Sequence, residues 1–316
     1  MSTEIRRATH DDLPGILRLL RLDLGWPADE RAQRLWDWKH VQNPFGASHV
    51  WVGLEDTEVV AVRTFMRWQL REPDGGLVHA ARAVDTVTDR EHRARGWFRR
   101  LTERSMDSLG ADGVTVLFNT PNAQSAPANL SLGWSEQPRP SVWFRPSRLR
   151  SLPVVLRSRV SAGLWPTETA VGLDPASAFA SPDIIAALTS QRCGPLDALE
   201  TDCSLGFLRW RYGLPELGYR VVVDTGRGAG SVAMVRTRQR GPGRERAVLD
   251  LAGGPAALAN ALSDPDNFDY AIWVGHRPAR GWYRVPSGGP RLVARRIDGA
   301  SIDQRFALGL GDLELF

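Results

Sequence analysis

The feature that most constrains the fold of this chain is an internal repeat. Trp36-Asp37-Trp38-Lys39-His40, closed by Pro44, is echoed by Leu208-Arg209-Trp210-Arg211-Tyr212, closed by Pro215. Further on, Val60-Ala61-Val62-Arg63-Thr64 is echoed by Ala233-Met234-Val235-Arg236-Thr237, and the separations Trp38 to Val62 and Trp210 to Val235 differ by one residue. Two anchors held at matching distance argue for a duplicated unit, because chance similarity does not preserve spacing. The length of 316 residues suits two domains of ordinary size. The predicted partition is a first domain over 1–148, a helical or irregular connector over 149–200, rich in Arg, Ser, Ala and Pro toward its start, and a second copy over 201–316.

Within the first copy, residues 4–8 read as a strand. Thr9 or Asp11 then caps a helix with Pro14 in its first turn, whose stripe is Ile16, Leu17, Leu19, Leu20 and Leu24 and whose end is Gly25 with Pro27. A second helical segment covers about 29–40. Two strands, 49–55 and 59–70, are joined by the polar hairpin Glu55-Asp56-Thr57, and a third, 77–88, follows the turn Asp74-Gly75-Gly76. A helix from Gly96 to about Leu109 leads to the apolar run 114–119, which suits a buried central strand. A loop and a short helix ending at Leu132-Gly133-Trp134 precede a last strand at 142–145. The second copy continues with strands at 247–251, 270–274 and 292–296 around a helix at 255–262. The expected class is α/β (α+β): two domains, each a mixed, mostly antiparallel sheet flanked by helices.

Between the third strand and its helix lies Arg93-Ala94-Arg95-Gly96-Trp97-Phe98. A helix N-terminus presents amides without intrahelical partners at the positive end of the dipole, so this basic turn is an anion site suited to phosphate. The second copy has Ala252-Gly253-Gly254-Pro255 there, without the basic residues, and is expected to lack that site.

Composition narrows the classes. A hydrophobic share of 42% and a charged share of 24% are those of a soluble globular protein, and no run approaches a bilayer span or a signal peptide, so a cytoplasmic location without membrane association is expected. Cys193 and Cys203 form no CxxC motif and read as buried thiols, while the six histidines lack helical metal spacing, so no metal is expected. Of 40 basic residues only Lys39 is a lysine, and 36 acids are interspersed, so no stable nucleic-acid complex is indicated.

On these residues the chain resembles the GNAT superfamily of acyl-CoA-dependent N-acyltransferases. Arg93 to Phe98 matches the first four positions of the pattern Arg/Gln-x-x-Gly-x-Gly/Ala and departs from it at Phe98. Phe118-Asn119-Thr120-Pro121-Asn122-Ala123-Gln124-Ser125, ending in Leu132-Gly133-Trp134, is similar to the strand, loop and helix in which an Asn meets the cofactor. The close resemblance covers about 4–145; the second half is similar as a degenerate GNAT-like domain.

The resemblance implies that the amides of Arg93, Ala94, Arg95, Gly96, Trp97 and Phe98 bind the pyrophosphate of acetyl-CoA or another acyl-CoA. It implies that Thr86, Val87 and Thr88 pair with the pantetheine arm, that an amide near Thr86 or Val87 polarises the thioester carbonyl, and that Asn122 and Ser125 contact the cofactor. A small-molecule amine would attack directly in a ternary complex, so that positioning supplies much of the catalysis. Such an amine must first lose a proton. Asp85 is the leading candidate base, with Asp23 and His79 behind it. The position of the usual acidic Tyr holds Asn129, which cannot donate a proton as an acid. That departure keeps a non-catalytic acyl-CoA-binding module among the alternatives, beside a FemAB-like aminoacyl-tRNA-dependent transferase. Trp36, Trp38, Trp51 and Trp68 read as core or as acceptor-pocket lining. A monomer or homodimer is expected.

Overall fold

The structure, a computed structural model, describes residues 2–158, 160–167, 169, 171–189, 197–224, 230–286 and 288–314. In chain order the first half forms β1 (Thr3–Arg7), α1 (Leu13–Leu24), α2 (Arg31–Trp36), β2 (His49–Glu55), β3 (Glu58–Arg71), β4 (Leu77–Thr88), α3 (Trp97–Ala111), β5 (Val116–Asn119), α4 (Ala126–Ser131) and β6 (Ser135–Gln137). Then follow β7 (Val142–Pro146), α5 (Leu152–Arg157), β8 (Ala162–Pro166), α6 (Pro175–Ala178), α7 (Pro182–Thr189), β9 (Ala198–Thr201) and α8 (Leu205–Tyr212). The last part holds β10 (Arg220–Asp224), β11 (Ser231–Arg240), β12 (Gly243–Ala252), α9 (Ala256–Ala261), β13 (Tyr270–Val274), β14 (Tyr283–Arg284), β15 (Leu292–Arg296), β16 (Arg305–Ala307) and α10 (Leu310–Leu313).

Two compact units result: the chain up to Pro138 with Arg291–Arg305, and Arg139–Pro290 with the chain from Phe306 on. The strands of the first unit run β1-β2-β3-β4-β5-β15-β6; those of the second run β10-β11-β12-β13-β7-β14, with β8 beside β11. Within these paths β4 with β5 and β12 with β13 are parallel and the other pairs antiparallel, giving two mixed, mostly antiparallel sheets flanked by helices.

The linear partition needs correcting at both boundaries. The strand expected to close the first copy, β7, pairs with β13 in the second unit, and β15, read as part of the second copy, pairs with β5 and β6 in the first. The described residues of 149–200 are not a connector either, since they fall within the second unit and β8 joins its sheet. The alternation of a short strand records that it has a buried face, not which open sheet edge it completes.

The core of the first unit follows from the predicted faces. On α1, Ile16, Leu19 and Leu20 are buried, and Gly25 ends the helix in the left-handed conformation that its φ of 70° requires. Trp97 and Leu101 of α3 pack on Trp51, Val60 and Ala61. Gly53 makes that seat possible: a Cβ there would meet the Trp97 ring at 2.5 Å. The start of α3 is thus pinned to β2 by one missing methyl group. Trp36, Trp38, Trp51 and Trp68 are all buried, which is the core reading. Cys203 is half-exposed rather than buried, and Cys193 lies outside the described residues. Among the described residues no helix is long and apolar enough to cross a membrane.

Candidate functional site

Strand β4 organises the site. Its pairing with β5 covers only Ala80, Ala81 and Arg82, because β5 ends at Asn119. Beyond that point the ladder stops, and among the described residues the β5 side of β4 from Ala83 to Thr88 has no ladder partner. A V-shaped opening with an unpaired strand edge can receive an extended, amide-bearing ligand as an added strand.

At the opening β4 bulges. Thr64 faces Val84 while Val62 faces Val87, so three steps on β4 oppose two on β3. Asp85 takes a φ of 43° inside this strand, a conformation costly for a residue with a side chain. The bulge turns its carboxylate toward the segment after α2, where Asp37–Val41 forms a π-helical turn and Gln42 N–H bonds to Asp37 O at 2.8 Å. Bulges and π turns both recur where a side chain has to be re-aimed for function. Lys39 Nζ lies 2.6 Å and His40 Nε2 3.0 Å from Asp85 Oδ2, and all three side chains are at most 1% exposed.

Burial by itself would raise the Asp85 carboxyl, but the Lys39 ammonium and the His40 hydrogen bond outweigh it and hold it below its ordinary value. Burial also depresses His40, and Asp85 offsets this only in part, so the imidazole is neutral. An ionised carboxylate can only accept, hence His40 Nε2 carries the hydrogen and Nδ1 accepts from the Ser48 hydroxyl at 3.0 Å. Ser48 is fixed there by its own N–H, which donates to His40 O at 2.9 Å, and it is half-exposed. The result is a file of groups, Ser48 to His40 to Asp85, leading from the surface into the core.

The basic turn closes the other end of β4. Ala94 and Gly96 have φ of 62° and 78°, and α3 starts directly after Gly96. Arg100 N–H returns to Gly96 O at 3.0 Å, so the amides just before it lie in the first turn, where no carbonyl of the same helix can reach them. The loop's guanidinium groups are engaged by acids: Arg93 with Asp23, and Arg95 with Glu55 at 2.8 Å. Backbone amides are therefore what this turn offers to an anion, and Phe98, half-buried, presents its N–H while its side chain packs with the core around Phe65.

Thr86 points to the α3 face, where its hydroxyl accepts from Arg63 Nη1 at 2.9 Å and donates to Val84 O at 3.2 Å. Val87 is buried and Thr88 half-buried on the same strand. Asn122 spends its side-chain oxygen on the start of α4, accepting from Ser125 N at 2.8 Å and Ser125 Oγ at 3.0 Å. Asn129 is wholly buried and donates from Nδ2 to Ser125 O at 2.9 Å, which ties down the same helix. Asp23 sits on α1 with Arg90 and Arg93, and His79 is exposed on the far part of β4; neither joins Asp85.

Sequence reasoning missed Lys39, His40, Ser48 and Arg63. A signal existed for Lys39, the single lysine in a chain that otherwise uses arginine. No local pattern announced the others.

Comparison with known proteins bears on this arrangement. Residues 4–136 match the family model described as an acetyltransferase (GNAT) domain. Comparison of the sequence with curated proteins gives no match. Among solved structures, a probable N-acyltransferase from Enterococcus faecalis is similar with a TM-score of 0.68 at 10% identity, covering 94% of this chain and 73% of that one. A GCN5-related N-acetyltransferase from Anabaena variabilis gives 0.63 at 10% identity, with coverage of 94% and 73%. Eis1 from Mycobacterium abscessus gives 0.54 at 17% identity, with coverage of 94% and 74%. At these identities the likeness concerns the fold.

Proposed function

We propose, from the match of residues 4–136 to an acetyltransferase (GNAT) domain, that this protein transfers an acyl group from acetyl-CoA or another acyl-CoA to the amine of a small molecule. One observation carries this reading: a single strand, β4, joins an unpaired edge, a strained bulge and a phosphate-ready helix start in the order a CoA thioester needs. The pyrophosphate would rest on the amides of Ala94 to Phe98, and the pantetheine amides on the free edge of β4 from Thr86 to Thr88. The thioester carbonyl would then lie at the bulge, where an amide near Thr86 or Val87 meets the charge that develops as the amine attacks.

The buried cluster supplies the proton acceptor in this scheme. The Asp85 carboxylate is enclosed by Lys39 and His40 and does not itself meet the amine. It fixes the tautomer of His40 and stabilises the imidazolium that forms when a proton passes from the amine through the Ser48 hydroxyl to Nδ1. A half-exposed hydroxyl gives the file its outer end, and neutral His40 is in the state needed to accept. The bond to nitrogen forms by direct attack, and CoA leaves with a proton from solvent, since Asn129 provides none.

The test is direct. Saturating acetyl-CoA or CoA raises the melting temperature by ligand linkage, and an amine panel releases free thiol. Stabilisation without thiol release by any amine would favour a binding module that has lost the chemistry, a reading motivated by Asn129. Absence of stabilisation by every acyl-CoA tested would remove the proposal.

A further inference from the structure

Arg63 on β3 is 1% exposed and has no acidic partner among the described residues. Its Nη1 is bonded to Thr86, while Nε and Nη2, both buried, have no hydrogen-bond partner. The guanidinium lies between two rings, 4.8 Å from Phe65 and 4.4 Å from Phe98. Burial depresses it to about 9, so it is still charged at neutral pH. A buried cation with two orphaned donors is expensive to keep unless something completes it.

The internal repeat indicates what is missing. The counterpart of Arg63 is Arg236, equally buried on β11. Arg236 Nη1 meets the Glu314 carboxylate at 2.8 Å, and Arg238 binds the same oxygen. In the second unit, then, this position holds an arginine neutralised by a carboxylate of the chain itself. In the first unit the arginine is kept and the carboxylate is not. The two donors left open, Nε and Nη2, are the adjacent pair of a guanidinium that takes two oxygens of one planar anion side-on.

We propose that Arg63 receives a carboxylate carried by the acyl group of the CoA thioester, so that the donor is a dicarboxylic acyl-CoA. This rests on the acyl-CoA reading above and deepens it. Thr86, which anchors the same guanidinium, belongs to the bulge where the acyl group would lie, whereas the phosphates belong to the turn at 93–98. Phe98, half-buried in the first turn of α3, covers the guanidinium and is the side chain that gives way as the carboxylate enters. A monocarboxylic acyl group would leave both donors unmatched.

Titration calorimetry of the full-length protein with acetyl-CoA, succinyl-CoA and CoA tests this. The wild type is expected to bind succinyl-CoA about tenfold or more tightly than acetyl-CoA, the scale of one buried charge-assisted bond. In Arg63→Met, whose side chain suits the gap between the two rings, that ratio falls to about one. Equal affinities in the wild type overturn the proposal without any variant, and they leave the acyl-CoA reading standing if acetyl-CoA binds. Equal weakening of all three ligands in Arg63→Met assigns the guanidinium to a cofactor phosphate and also overturns it. Failure of every CoA ligand to bind removes both readings.

Discussion

The two units use one constellation in opposite electrostatic states. In the first, Lys39 and His40 follow α2 and meet Asp85 on β4; in the second, Arg211 and Tyr212 end α8, and Tyr212 donates to Asp250 on β12. Asp85 is held below the ordinary carboxyl range because Lys39 and His40 outweigh its burial, whereas burial pushes Asp250 above it against the opposing Tyr212 hydrogen bond and Arg211 charge; Arg211 itself donates to Gly311 O at 2.7 Å and Glu314 O at 2.9 Å. The second unit has spent its cations on its own last residues; the first keeps them around an opening. Loss of the basic turn at Ala252–Pro255 agrees with this division, since α9 is only a six-residue helix after Gly253.

The largest effect should come from removing one carboxylate in each unit. Asp85→Asn takes the buried carboxylate away from Lys39 and His40 and is expected to cost about 3–5 kcal/mol, with at least ~100-fold loss of thiol release. Asp250→Asn, replacing a group already pushed toward its neutral form, should cost no more than about 1 kcal/mol. Urea unfolding of the two variants decides between this asymmetry and a symmetric role.

The units should also answer pH in opposite directions. Asp312 is raised to about 6, first by burial and then by Asp250. A raised group contributes stability that is complete below its unfolded value near 4 and is lost as pH rises through 6, about 3 kcal/mol in all. Asp85 is depressed, so its contribution is present above the unfolded value and disappears as pH falls through its folded one. Hydrogen exchange resolved by peptide should therefore show the second unit loosening between pH 4 and 6, while the first loosens only in stronger acid. Asp312→Asn should flatten the first of these trends.

Arginines separate the units on a smaller scale. Arg63→Met removes an uncompensated buried charge and should raise the unfolding midpoint of the free protein by the equivalent of about 1 kcal/mol. Arg236→Met takes one of two arginines from Glu314 and should lower stability by about 1–3 kcal/mol. Thermal melts that drop equally for both would mean that Arg63 has a partner as good as Glu314.

The smallest contrast lies in the turns. Gly96 needs its φ of 78°, while a Cβ there would meet nothing within 4 Å. Gly96→Ala is thus a pure backbone penalty of about 1 kcal/mol that also weakens acyl-CoA binding, whereas Gly254→Ala, with open space and no positive φ, should be nearly neutral. Calorimetry with CoA would show whether the first turn alone responds.

Much of this protein was legible from residue order. The repeat, the mixed sheets, the Arg93 to Phe98 turn and the strand bearing Asp85 follow from spacing, alternation and the chemistry of a helix start, all of which are local. Tertiary structure decided the rest. It assigned β7 and β15 to opposite units from those expected, because a short strand's pattern fits any open edge. A bulge and a π turn, neither visible in periodicity, brought Lys39, His40 and Ser48 to Asp85 from about 40 residues away in sequence. And it left Arg63 without the carboxylate its twin has, a difference that depends on where Glu314 lands after folding and not on any feature near residue 63.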